Sequence, residues 1–131
     1  MRKLPFTEIN NLLTKWASNT PLITDFTVEN VLSSTNLDFT YYDGVLKYLM
    51  SKEGFELIPQ KTLICSCNYK VQSFELDHPI DDETIYYCNS CGEGLYFDLD
   101  NTILTFSFTE EFIADSLKKK LSLNKKLLAT V

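Results

Sequence analysis

The first half of the chain predicts three short amphipathic helices. Apolar residues recur at intervals of three and four over residues 7–17, again after Thr27, and over roughly 38–53. Thr7 and Thr27 stand where a helix N-cap is expected, a loop is predicted at 19–21, and Gly54 fits the end of the third helix. The predicted apolar faces are Ile9, Leu12, Leu13 and Trp16, then Val28, Val31 and Leu32, then Tyr42, Val45, Leu46, Leu49 and Met50.

After Gly54 the pattern becomes β-like. Residues 55–58 and 61–65 predict two strands joined by a tight turn at Pro59 and Gln60. Further strands are predicted over 69–76, 84–88, 95–99 and 102–108, with an acidic loop at 77–83 and a hairpin turn at Asp100 and Asn101. A final helix over 109–128 has acidic residues at its start and lysines near its end, as the helix dipole favours.

This order of elements predicts an α+β protein. Three short helices followed by a hairpin is the order of a winged helix-turn-helix, whose third helix is the recognition helix. A generic helical cap packed on a small sheet fits the same pattern equally well.

The four cysteines of the chain form the strongest chemical motif. Cys65 and Cys67 form a CxC pair, and after twenty intervening residues Cys88 and Cys91 form a CxxC pair followed by Gly92. Four soft ligands in two turns suit a tetrahedral zinc ion, and Asn68 and Gly92 are residue types that accept a tight turn. Buried free thiols, disulfides and iron are the alternatives, although the CxC spacing would strain a disulfide.

Residues 63–108 resemble the zinc-ribbon class, in which a knuckle, an antiparallel excursion, a CxxCG knuckle and a closing hairpin follow one another. The first knuckle departs from the usual CxxC by one residue. With the winged-helix order of the first elements and the pattern of the last helix, we expect a winged-helix-like domain at 1–62, a zinc-ribbon-like domain at 63–108 and a C-terminal amphipathic helix at 109–131. This architecture is similar to that of the general transcription factor E alpha family. The order of the cysteines also resembles the zinc site of the redox-regulated heat-shock chaperones.

Composition and charge narrow the function. The 131 residues carry a net charge of −6, and residues 63–108 hold eight carboxylates against one lysine. A phosphate backbone would be repelled there, and the chain has a single arginine for reading bases. No signal peptide or membrane span is recognisable, so we expect a cytoplasmic protein, in which clustered cysteines hold metal rather than disulfides.

Catalytic chemistry is not indicated. His78 is the single histidine and has no marked nucleophile beside it, so we interpret it as a loop residue, with replacement of a knuckle cysteine as the exception. Asp81, Asp82 and Glu83 lack the spacing of a calcium loop, and no glycine-rich phosphate motif is present. We therefore predict a protein that is not an enzyme and has no small-molecule substrate.

Two surfaces are candidates for partner binding. On the third helix the outward residues are expected to include Tyr41, Lys47, Tyr48 and Lys52, although the tyrosines would equally serve to cover the core. On the last helix a leucine stripe at Leu117, Leu121 and Leu128 must dock on its own body or on a partner. The predicted function is a zinc-binding adaptor or accessory subunit in a protein complex. A DNA-binding regulator and a zinc-thiol redox switch are the alternatives.

Overall fold

A computed structural model describes residues 3–19, 23, 25–79 and 81–129, without the side chains of residues 81, 82 and 122–129. The fold is mixed, with helices and antiparallel strands, so the predicted α+β class is confirmed. The helices are α1 (Phe6–Ala17), α2 (Val28–Ser34), α3 (Tyr42–Met50) and α4 (Glu110–Ala129). The strands are β1 (Leu57–Ile64), β2 (Lys70–Glu75), β3 (Asp81–Tyr87), β4 (Gly94–Phe97) and β5 (Thr102–Phe108).

The chain forms two compact units. The helical unit comprises residues 1–58 and 106–131, and the β unit comprises residues 59–105. The unit boundaries fall within β1 and β5. Compact units need not coincide with domains, so the division at residues 62 and 108 stays a prediction.

The apolar core of the helical unit contains side chains from α1, α2 and α3. Phe26 lies at its centre, where its ring contacts those of Trp16, Phe106 and Phe108, and its backbone exchanges two hydrogen bonds of 2.9 and 2.8 Å with Phe106. The other fully buried side chains of this unit include Ile9, Leu13, Val28, Val31, Val45, Leu49 and Leu57. The helical spacing in the sequence therefore identified most of this core.

The predicted helix starts were right for α2 and wrong for α1. Thr27 caps α2 in a capping box, in which its hydroxyl accepts from the Asn30 N–H and the Asn30 side chain accepts from the Thr27 N–H. Thr7 instead lies inside α1, because the first helical hydrogen bond runs from the Ile9 N–H to the Pro5 carbonyl. Proline suits a helix start since it has no N–H to leave unpaired.

The third helix is shorter than predicted. Its first turn is a 3₁₀ turn at Phe39–Tyr41, capped by the Asp38 side chain, and α3 ends at Met50. Gly54, with a φ of +81°, follows in the turn that leads to β1. The predicted span of 38–53 thus includes the capping and exit turns as well as α3.

The predicted hairpin turn at Pro59 and Gln60 is wrong. Both residues lie inside β1, which pairs antiparallel with β2 from Gln60 onward. Pro59 precedes the first residue paired with β2, so its missing N–H costs that ladder nothing. The element after α3 is therefore one long strand, and its hairpin with β2 turns at the first cysteine pair.

Two other predictions about the β half are also wrong. The acidic segment 77–83 is not all loop, because Asp81–Glu83 belong to β3. This strand lies at the edge of its sheet, where charged side chains are tolerated. Ile80 lies outside the described residues. Asp100 and Asn101 do not join a hairpin, because β4 pairs with β3 while β5 belongs to the sheet ordered β2-β1-β5. The Asp98 side chain caps a 3₁₀ turn there by accepting from the Asn101 N–H at 3.0 Å.

The β unit has a small apolar core. Leu63, Phe74, Leu95 and Phe97 pack with two of the cysteines, Cys65 and Cys88, and Val71 and Tyr86 lie against them. Within the described residues, no helix combines the length and the apolar character that a membrane span requires.

Candidate metal centre

Each cysteine pair lies in the turn of an antiparallel strand pair. Cys65 and Cys67 lie between β1 and β2, and Cys88 and Cys91 lie between β3 and β4. The first turn is closed by a hydrogen bond of 3.0 Å from the Cys65 N–H to the Tyr69 carbonyl. The second is closed in the same way, with 2.9 Å from the Cys88 N–H to the Glu93 carbonyl. The backbone of the two hairpins therefore fixes where the thiols lie.

The turn residues named from the sequence take the expected conformation. Asn68 has a φ of +70° and Gly92 a φ of +79°, both in the left-handed region. Their N–H groups each donate at 2.8 Å to the carbonyl of the first cysteine of the pair, Cys65 and Cys88 respectively. This conformation curls each turn so that its two thiols point to the same side.

The four sulfur atoms lie close enough together to share one metal ion. All four Sγ atoms lie within 4.8 Å of one another, and the distances are 3.4 Å for Cys65 to Cys91 and 3.7 Å for Cys67 to Cys88. Zinc–sulfur bonds of about 2.3 Å give tetrahedral edges of about 3.8 Å. A disulfide needs about 2.05 Å, and all four cysteines are free. The residues therefore fit a metal ion held by four thiolates.

The site is half enclosed, and its thiols differ in acidity. Cys65 and Cys88 are buried in the core of the β unit, whereas Cys67 and Cys91 are exposed. A hydrogen bond with the Cys67 backbone lowers the pKa of Cys65. Burial and the neighbouring thiols together raise this pKa by more, so the net result is a pKa of about 12. Burial raises the pKa of Cys88, but backbone N–H groups and the adjacent thiols lower it to about 7.

One carboxylate, which the sequence analysis did not single out, lies against the sulfur cluster. An Oε2 atom of Glu93 is 3.5 Å from Cys65 Sγ and accepts a hydrogen bond of 2.9 Å from Ser66 Oγ. Glu93 follows Gly92 in the second turn, so the cross-turn contact depends on the folding of both hairpins. The spacing of cysteines in the sequence carries no signal for it.

His78 is not part of the sulfur cluster. Its ring packs on Phe74 and Phe97, with centroid distances of 4.6 and 5.0 Å, and is half-buried. Among the described residues, the group that could hold a metal consists of the four cysteines. His78 thus serves to cover the core of the β unit.

The third-helix residues proposed for partner binding fall into two pairs. Tyr48 donates to Asn10 Oδ1 at 2.6 Å, and its ring packs at a tilt against that of Phe6. Lys52 pairs with Glu56 at 2.8 Å and lies over the Tyr48 ring. Both side chains are therefore engaged within the helical unit. Tyr41 and Lys47 instead line a groove of about 610 Å³, together with Lys3, Leu4, Phe6, Thr40 and Gly44.

The leucine stripe of the last helix is largely uncovered where its side chains are described. Leu117 is 43% exposed and Leu121 is 61% exposed. The Lys120 ammonium donates to the Ser18 carbonyl at 3.1 Å, so α4 is held against the end of α1 on another side. Leu128 lies in α4, but its side chain is outside the described residues.

Comparison with known proteins adds no assignment. The chain matches no family model, and neither curated proteins nor solved structures give a significant match.

Proposed function

We propose that Cys65, Cys67, Cys88 and Cys91 bind one zinc ion with a structural role. The observation that carries this proposal is the convergence of four free thiols from two separate hairpins, with all four Sγ atoms within 4.8 Å of one another. Four protein ligands fill the coordination shell of zinc and leave no position for a substrate. Such a site stabilises a fold and does not catalyse a reaction.

The proposed architecture is a zinc-ribbon-like β half preceded by a winged-helix-like half. Two hairpins that each present a cysteine pair at their turn are the main feature of a ribbon, and they support this interpretation. The order α1, α2 and α3 supports the helical part of the winged-helix interpretation, whereas the hairpin that follows carries the first cysteine pair and belongs to the ribbon. The likeness to the general transcription factor E alpha family rests on this order of elements alone.

We propose that the protein acts as an adaptor or accessory subunit, not as an enzyme. The groove beside α3 combines an apolar floor with Lys3 and Lys47, which suits a partner segment that carries acidic and apolar side chains. Lys52, the other lysine of the predicted recognition surface, is neutralised by Glu56. This pairing favours a protein partner over DNA.

Metal analysis tests the zinc proposal directly. Protein purified without chelators is expected to contain one zinc per chain by elemental analysis, and cobalt substitution is expected to give the visible absorption of tetrahedral thiolate coordination. Cys67→Ser should abolish both results, whereas Ser66→Ala, one residue away, should leave them intact. Absence of metal from freshly purified protein would refute the proposal.

Native mass spectrometry from the source cells tests the adaptor proposal. A stoichiometric protein partner is expected, and Lys47→Glu with Tyr41→Ser should release it without loss of zinc. Phe39→Ser is the matched control, since Phe39 is exposed and does not line the groove. Tight binding of duplex DNA that weakens steeply with salt would instead support the DNA-binding alternative.

A redox switch is the second candidate function, and the distances between the thiols favour it. Cys65 and Cys91, and Cys67 and Cys88, are close enough to form disulfides after a small movement once the metal leaves. Each pair would lose two electrons and two protons to an oxidant such as hydrogen peroxide, which is reduced to water. Peroxide is then expected to release zinc reversibly; zinc retained under peroxide argues for a purely structural site.

A further inference from the structure

The sheet β3–β4 has apolar side chains on both of its faces. Leu95 and Phe97 point into the core of the β unit, as expected for one face of an antiparallel pair. The opposite face carries Ile85 and Tyr96, which are paired across the strands, and Tyr87, which is paired with Gly94. A polar, solvated face would be the usual arrangement, so this face has the composition of a contact surface.

The exposed face is continuous and well exposed. Tyr87 is 65% exposed, Tyr96 44% and Ile85 42%. A Cβ atom at Gly94 would lie 2.9 Å from Ile85 Cγ2 and 3.4 Å from Tyr87 Cε1, so both side chains lean over the bare glycine. The result is an apolar patch of two aromatic rings and an isoleucine, which we call the sheet patch.

Charge indicates what covers the sheet patch. The β unit carries eight carboxylates and two lysines, a net charge of −6, and four zinc-bound thiolates would add about −2. Residues 116–129 of α4 carry five lysines and no carboxylate, a net charge of +5. The exposed Leu117 and Leu121 lie in this basic segment. One chain therefore presents an exposed apolar patch on an acidic unit and exposed leucines on a basic helix segment.

We propose that α4 of one copy docks, through Leu117 and Leu121, on the sheet patch of a second copy. The leucines would lie on Tyr87, Tyr96 and Ile85, and Lys118 and Lys119 beside them would face the acidic β unit, while Lys120 stays on the Ser18 carbonyl. A closed pair forms if the contact is made twice, and an open chain if it is made once. This proposal goes beyond the adaptor function, since the partner here is the chain itself.

The contact is expected to be weak and sensitive to salt. The 20-residue helix α4 is about 30 Å long, and a sheet of two short strands can cover only part of that length. The surface area buried by one such contact therefore stays below that of a permanent interface. Because opposite charges steer it, we expect association to weaken by ~10-fold or more between ~50 mM and ~500 mM salt.

Two variants, each lacking one surface, test the proposal in the zinc-loaded full chain. The sheet variant is Tyr87→Ser with Tyr96→Ser, and the helix variant is Leu117→Ser with Leu121→Ser. By sedimentation velocity at ~50 mM salt, the unaltered protein is expected to associate and each variant alone to be monomeric. An equimolar mixture should form a complex again, because the helix variant supplies the sheet patch and the sheet variant supplies α4.

The other outcomes are equally decisive. A sheet variant that associates like the unaltered protein would mean that helices pair with helices, and the proposal would be overturned. A monomeric unaltered protein, or a mixture that stays monomeric, would overturn it as well. Phe39→Ser controls for the loss of an exposed ring, and circular dichroism with zinc analysis of each variant separates a lost contact from a lost metal site.

Discussion

The helical unit and the β unit differ in the size and composition of their apolar cores. The helical unit buries complete aromatic and aliphatic side chains around Phe26, and its sequence has the helical periodicity that such a core requires. The β unit has a smaller core, which includes Cys65 and Cys88. Small domains commonly add a covalent or metal cross-link to a small core, and the proposed zinc site would have that role in the β unit. We therefore expect the two units to respond differently to chelators, core mutations and pH.

Metal removal should have the largest effect, and it should act on the β unit. Structural zinc sites contribute on the order of 10 kcal/mol to folding, which is comparable to the whole stability of a small domain. After chelation, or with Cys88→Ser, we expect amide protection to be lost over β1 to β4 and retained in α1 and α3. Hydrogen exchange measured by mass spectrometry checks this, with Ser90→Ala as the matched control in the same turn. Equal loss of amide protection in both units would show that the metal does not stabilise the β unit in particular.

A core truncation in the helical unit should give the converse result. Phe26→Ala removes a ring that contacts three other aromatic side chains, and such substitutions cost about 3–5 kcal/mol. We expect this loss in the free energy of unfolding by chemical denaturation, with the zinc content unchanged. Phe39→Ala, at an exposed ring, should cost less than about 1 kcal/mol. Loss of zinc from the Phe26 variant would contradict the proposed separation.

The sequence predicted the helical unit better than the β unit, for a physical reason. Helical periodicity is local, so the apolar face of α1 and the Thr27 cap could be read directly. Strand pairing is not local: Pro59 was read as a turn, and Asp100 with Asn101 as a hairpin, although β4 and β5 pair with other strands. The cysteine spacing predicted the cluster, but the sulfur distances and the position of Glu93 depend on two hairpins that meet only in the folded chain.

The pH dependence of metal affinity should be a smaller effect that is confined to the β unit. Cys65, with a pKa of about 12, and Cys91, whose pKa is also raised, are protonated near neutral pH in the metal-free protein. Zinc must displace at least these two protons, so its affinity should rise with pH by about 100-fold or more per unit between pH 6 and 7. Competition with a chelator of known affinity measures this slope. A flat profile would mean that thiolates do not hold the metal.

The smallest expected effect concerns the carboxylate beside the cluster. Glu93 lies 3.5 Å from Cys65 Sγ, where its charge repels four metal-bound thiolates, and Glu93→Gln keeps an oxygen that can accept from Ser66. A charge partly exposed to water at this range is worth about 1 kcal/mol, so zinc affinity should rise roughly 3- to 10-fold. Glu75→Gln is the control, because it removes the same charge from β2, and Glu75 has no contact with the sulfur cluster. Competition with a chelator should show a higher zinc affinity for Glu93→Gln than for Glu75→Gln. An equal rise of zinc affinity in both variants would assign the effect to the overall charge of the β unit. A lower zinc affinity in Glu93→Gln would mean that the carboxylate supports metal binding.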